Sequence, residues 1–156
     1  MDISDYLIEQ QGKDWAKLLS DWAWLLPNDL TVWMVNRFGD IVLVLDDGTV
    51  HFLDVGAGTL KQIAETREDF CVKVDADDNA EIWFLISLVD ECAEAGMSLS
   101  VDQCYTFKLA PVFGGQYSIE NIEVGDLEVN YSLLGQTHDQ IKDLPDGATV
   151  NLVVST

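Results

Sequence analysis

Val32-Trp-Met-Val-Asn-Arg-Phe-Gly-Asp-Ile-Val-Leu-Val-Leu-Asp-Asp-Gly-Thr-Val-His-Phe-Leu53 is the stretch from which the fold can be read. Val32–Val35 and Ile41–Leu45 are short β-favouring runs, separated by the polar and glycine-containing bracket Asn36–Asp40. Asp47-Gly48 then supplies a tight turn into Thr49–Leu53, because glycine accepts the positive φ that such a turn demands. Every residue from Ile41 to Leu45 is apolar. A strand of that kind is expected to be central and covered on both faces, whereas a half-exposed strand would alternate with polar residues.

Outward from this hairpin the period changes. Trp15, Leu18, Leu19 and Trp22 recur at i, i+3, i+4 and i+7, predicting a helix from about Lys13 to Ala23 that Pro27 ends. Thr59-x-x-Gln62 reads as a capping box opening a helix to about Arg67, with Gly56-Ala-Gly58 as the sharp turn leading into it. Phe70–Val74 reads as a short strand. After an acidic turn at Asp75–Asn79, the spacing of Ile82, Leu85, Ile86, Val89 and Ala93 predicts one helix closed by Gly96. Cys104–Leu109 and Tyr117–Ile122 read as a second extended pair around a Pro111 and Gly114-Gly115 corner. Leu127, Tyr131, Leu134, His138 and Ile141 predict a last amphipathic helix ending before Pro145, with Gly135 its weak point. The expected class is α+β, with antiparallel β-ribbons packed against several helices. The acidic turn is the natural seam between an N-terminal lobe, 1–79, and a C-terminal lobe, 80–156, unless the two form one compact domain.

Composition bounds the function. The chain has 156 residues, 48% of them hydrophobic, with five Trp, so it can fold into a globule. Its 28 acids against 8 bases leave a formal charge of −20. That surface repels phosphate and anionic lipid, which argues against direct nucleic-acid or membrane partners and in favour of a basic protein. Acidity also serves solubility, and a purely solvating surface is the plain alternative. Cys71, Cys92 and Cys104 are odd in number and lack CxxC spacing, so buried reduced thiols in a cytoplasmic protein are expected. The first residues lack a basic start and apolar run, and no window approaches the ~20 apolar residues of a membrane span.

Motifs of chemistry are incomplete. Asp75-x-Asp77-x-Asn79 begins like an EF-hand loop, but Ala80 replaces the required Gly and Ile86 the bidentate Glu, so no metal is expected. Gly56-Ala-Gly58 lacks the rest of a nucleotide-binding fingerprint. His51 and His138 sit among core residues without a neighbouring nucleophile motif, and satisfied imidazoles are the expectation for both. No catalytic residue and no cofactor is assigned. Trp24, two residues after Trp22, is a candidate interface anchor if the chain leaves it exposed. Ten acids against Arg67 and Lys73 lie between Glu65 and Glu94, and seven against Lys142 between Glu120 and Asp146. From these regions Asp77, Asp78, Glu81, Glu120, Glu123 and Glu128 are candidate partner-binding residues, with a solvated face as the alternative for each.

Gln103–Glu123, Leu133-Leu-Gly-Gln-Thr-His138 and Ile141-Lys-Asp-Leu-Pro-Asp-Gly147 together resemble the C-terminal module of bacterial immunity proteins of type VI secretion DNase toxins, a module formerly classed only as a domain of unknown function. Trp24-Leu-Leu-Pro27, Asn36–Asp40 and Leu53-Asp-Val-Gly-Ala-Gly58 look like the GAD-like N-terminal region of the same proteins. The resemblance implies a cytoplasmic, non-enzymatic inhibitor that binds and occludes a cognate toxin, a basic nuclease. Two other classes fit the residues: a small-ligand or cation-binding protein or enzyme with an acidic pocket served by His51 or His138, and an acidic scaffold. The oligomeric state has no signature.

Overall fold

The computed structural model describes residues 2–155. Four strands, β1 (Leu30–Val35), β2 (Ile41–Leu45), β3 (Val50–Asp54) and β4 (Thr59–Ala64), form an antiparallel meander in the order β1-β2-β3-β4. A second antiparallel ribbon pairs β5 (Gln103–Phe107) with β6 (Ile122–Asp126). Helices α1 (Trp15–Leu18), α2 (Arg67–Lys73), α3 (Asn79–Phe84), α4 (Ile86–Glu94) and α5 (Leu127–Ile141) cover the sheets, giving the α+β class. The all-apolar β2 lies between β1 and β3. Its Val42 and Val44 enter a core with Phe70, Trp83, Phe84, Leu88 and Tyr105, while Ile41 and Leu43 enter another with Trp22, Leu53, Cys104 and Tyr131. The alternating pleat of one strand thus serves two cores, each drawing on residues from both ends of the chain.

Several local expectations are corrected. The Thr59-x-x-Gln62 segment is β4, paired with β3 through Leu53↔Leu60 and His51↔Gln62, and Gly56–Gly58 is the turn of that hairpin. The capping signal sits one step later: the Thr66 hydroxyl accepts from the Asp69 N–H at 3.0 Å, and the Asp69 carboxylate accepts from the Glu65 N–H at 3.0 Å. Phe70–Val74 therefore belongs to α2 and its C-cap, with Phe70 inward and Cys71 exposed, contrary to a buried thiol. Cys92 and Cys104 are buried, and all three are free. The Lys13–Ala23 helix is two short pieces, α1 and a 3-10 turn at Ser20–Trp22, so that Trp22 can turn into the core. Tyr117–Ile122 is a loop with one 3-10 turn, and the strand follows it as β6.

The helix expected over 82–93 is broken at Leu85, which adopts φ 50°. In a continuous helix the Ser87 N–H would bond the Trp83 carbonyl. Here the Glu81 carboxylate takes the Ser87 N–H and hydroxyl, each at 3.0 Å, and the Trp83 carbonyl accepts instead from Asn36 Nδ2 at 2.9 Å. The two groups parted by the break thus both find side-chain partners, which is what permits it beside the core.

Asn36–Asp40 is the turn that ties these parts together. The Asn36 side-chain oxygen accepts from the N–H groups of Phe38 at 2.9 Å and Asp40 at 3.0 Å, and its Nδ2 also donates to Asp40 Oδ2 at 2.9 Å. The Arg37 carbonyl accepts from the Tyr105 N–H of β5, and the Gly39 carbonyl accepts from the Tyr131 hydroxyl of α5 at 2.7 Å. One five-residue turn thus meets the sheet, the α3–α4 break, the ribbon and α5.

Candidate functional site

A groove of about 480 Å³ opens between the β5–β6 ribbon, the 108–117 loop and α5. Phe38, Tyr105 and Phe107 give it an aromatic wall: Phe38 and Phe107 stack at 5.3 Å, and Phe107 meets Tyr117 edge-on at 5.0 Å. Leu109, Phe113, Tyr117, Val129, Leu133 and Leu152 line it while remaining exposed, which makes it an apolar patch of the kind that marks an interaction surface. Its charged groups are Asp40, Asp54, Glu123 and Asp126 against Lys108.

Asp40 is 7% exposed and forms part of the groove lining. Its oxygens accept from Asn36 Nδ2 and from the Val55 N–H, both at 2.9 Å. Burial, with the charge of Asp54 second, pushes its carboxyl up to about 7 despite those hydrogen bonds. Asp54 Oδ1 accepts from the Ala57 N–H at 3.0 Å. A Cβ built on Gly56 would lie 3.4 Å from Asp54 Oδ1 and 3.5 Å from the Tyr117 hydroxyl, ordinary contact distances that place both groups beside this turn. Burial, then Asp54 and Asp40, push the Tyr117 hydroxyl up to about 12. Folded Asp40 keeps a proton that the unfolded chain loses near pH ~4, so it weakens the fold as pH rises from there to 7 and adds no further penalty above it. Carboxyl NMR is expected to show Asp40 titrating near 7 and moving down in Asp54→Asn. A midpoint below ~5, typical of a solvated carboxylate, would contradict this placement.

The residues singled out from sequence lie in several places. Asp77 and Asp78 are exposed on the turn before α3, Asp77 at φ 49°. Glu81 is engaged by Ser87 across the helix break. Glu120 and Glu123 are exposed on the 3-10 turn and on β6, and Glu123 also lines the groove. Glu128 stands in the first turn of α5, 3.7 Å from Lys17. Trp24 is half-buried: it stacks on Trp22 at 5.9 Å, donates to the Gly135 carbonyl at 3.2 Å and carries Lys142 over its ring. His138 is buried, with Nε2 2.9 Å from the Val55 carbonyl, which makes Nε2 the protonated nitrogen, and burial moves its pKa down. Neither histidine lines the groove. Among the described residues, no group of three or more His, Cys, Asp or Glu is placed to hold a metal. No helix of the described residues is long and apolar enough to cross a membrane.

Asp40 and Asp54 were not among the sequence candidates. A signal existed for Asp40, an acid joined directly to the all-apolar run Ile41–Leu45 and so drawn inward with it. Nothing in the spacing tells that β3, fourteen residues on, brings Asp54 to the same groove.

Fold and groove define a small acidic α+β protein with an apolar groove floored by carboxylates. Residues 64–138 match the family model described as T6SS immunity protein Tdi1, C-terminal, so this segment is similar to the C-terminal part of that type VI secretion immunity protein family. The match leaves residues 1–63 outside it. No curated protein matches the chain. Among solved structures, the crystal structure of Atu4351 from Agrobacterium tumefaciens is similar at 19% identity and a TM-score of 0.44, over 78% of this chain and 60% of that one. The chain therefore spans 60% of the length of that protein.

Proposed function

We propose that this chain is a cytoplasmic immunity protein that binds a cognate toxin, a basic nuclease, and occludes its DNA-binding cleft without chemistry of its own. The observation that carries the reading is the family match over residues 64–138. The formal charge of −20 supports the basic partner, since a nuclease cleft is cationic in order to hold phosphates. An anionic protein entering that field needs only a standard interface of ~1,600 Å² to cover the cleft. Nucleic acid and membrane are then not direct partners. Asp77, Asp78, Glu120, Glu123 and Glu128 act as the steering rim, with Trp24 as a partly covered apolar anchor. Glu81 is a poor choice for charge reversal because it also caps the α3–α4 break.

Co-purification with the product of the adjacent effector gene tests the reading. The wild-type protein is expected to capture that product and protect cells expressing it. Association should slow as salt shortens the screening length from ~10 Å at 0.1 M to ~3 Å at 1 M, with dissociation changing less. Reversal of Asp77 with Asp78, or of Glu120 with Glu123, should reproduce that slowing at low salt. Capture with no protection, or no capture, would reject the immunity role. An association rate indifferent to salt and to both reversals would leave the acidic surface solubilising only.

A further inference from the structure

Resting on the toxin-binding reading above, we infer that the groove between the β5–β6 ribbon and α5 receives an extended segment of the protein partner through an arginine side chain, whose guanidinium lies between the aromatic wall and the Asp40 and Asp54 carboxylates.

The first support is how the chain already uses this surface. Residues 152–155 lie along α5, and the Val153 N–H donates to Gln140 Oε1 at 3.0 Å while its carbonyl accepts from Gln140 Nε2 at 2.7 Å. Ser155 repeats the pattern with Gln136, its N–H donating at 2.8 Å and its carbonyl accepting at 2.9 Å. Two glutamines four apart on a helix are separated by a rise of ~6 Å, close to the ~6.6 Å between alternate residues of a strand. The pair reads main chain in the way a neighbouring strand would, without regard to side chains. Leu152, next in the chain, lines the groove. The α5 face beside the groove thus already holds an extended segment, and Leu152 of that segment takes up part of the groove.

The second support is charge. Asp40, Asp54, Glu123 and Asp126 against Lys108 exclude an anionic occupant. A purely apolar one would seal Asp40 beside Asp54 with no counter-charge, a costly arrangement in a water-poor site. A cation resolves it. Arginine suits the walls better than lysine, because its planar, weakly hydrated guanidinium stacks on aromatic faces and offers paired donors to carboxylates. The raised Asp40 carboxyl agrees with a site that lacks its positive partner.

The test uses the intact protein and a capped alanine-valine-arginine-valine-alanine peptide, followed by amide and carboxyl NMR. Saturable binding is expected, with shifts at Asp40, Asp54, Gly56 and Tyr117, and at least tenfold weaker binding of the norleucine counterpart. Asp54→Asn should weaken binding at least tenfold. Leu133→Lys should abolish it, and since Leu133 is exposed that variant keeps its fold. Val153→Pro, which removes a donor to Gln140, should tighten binding several-fold by freeing the seat. Absence of saturation, equal binding of the norleucine peptide, or indifference to Asp54→Asn overturns the inference. Should both Asp54→Asn and Leu133→Lys still capture the effector as wild type does, the groove is not the contact and the immunity reading stands alone. Should the arginine peptide bind as stated while no effector is captured, the groove is upheld and the immunity reading is the one lost.

Discussion

Asn36→Ala is expected to lower stability by about 4–5 kcal/mol, among the largest effects of any single substitution in this chain. Asn36 is 2% exposed and makes four hydrogen bonds, to the Phe38 and Asp40 N–H groups, to Asp40 Oδ2 and to the Trp83 carbonyl. Truncation strips a partner from each at once, and a buried polar group left unmade costs ~1–3 kcal/mol. The consequence spreads beyond the turn. The Trp83 carbonyl has already given up its helical partner at the Leu85 break, so without Asn36 the end of α3 loses its tie to the sheet. For a domain of this size the loss corresponds to a fall in Tm of roughly 10 °C or more. Asn36→Asp is a sharper probe. It keeps the two accepted bonds but sets a carboxylate beside Asp40, so its deficit should shrink as pH falls from 8 to 5 and the pair shares a proton. Thermal melts of both variants across that range provide the measurement; a drop below ~1 kcal/mol for Asn36→Ala would mean the turn is not the hub described.

Gly135→Ala is expected to destabilise by about 2 kcal/mol, although alanine favours a helix interior over glycine by ~1 kcal/mol. The reason is contact. A Cβ at this position would meet the Asp21 carbonyl oxygen at 2.7 Å and Trp22 Nε1 at 2.9 Å. Trp22 is fully buried and donates to the Tyr131 carbonyl at 2.9 Å, while Trp24 donates to the carbonyl of Gly135 itself. The added methyl must push the Ser20–Trp22 turn off α5, strain both indole hydrogen bonds and open the core around Tyr131. Denaturant unfolding checks the sign: a variant more stable than wild type would show that helix propensity outweighs this contact. The loss should leave tryptophan emission red-shifted, because Trp22 is the indole displaced first.

Gly135 also shows where sequence reasoning stops. By propensity it is a flaw in the last helix; in the fold it is the point where the Ser20–Trp22 turn touches α5, a partner more than a hundred residues away. The same division runs through the chain. The β2–β3 hairpin, its all-apolar central strand and α5 were legible because each depends on local turn chemistry and a repeating period, which residues carry with them. Lys13–Ala23 and 82–93 kept a helical period yet broke, because burying Trp22, and fitting Trp83 with Leu88, required changes of direction that only distant partners such as Asn36 and α5 make affordable. Thr59–Ala64 satisfied a capping pattern and became a strand because β3 offered an open edge, and pairing along that edge outweighs one cap.

The candidate site divides in the same way. Net charge and the signature residues carry the proposal of a basic protein partner without coordinates, since summed charge needs none. The groove did not follow from any motif. Its aromatic wall comes from the Asn36–Asp40 turn and β5, its lip from the 108–117 loop and α5, and its carboxylates from two strands' ends. Each of these residues is ordinary in its own segment. Only tertiary packing buries Asp40 beside Asp54, because desolvation and like-charge repulsion are properties of neighbours in space, and sequence order says nothing of which neighbours those are.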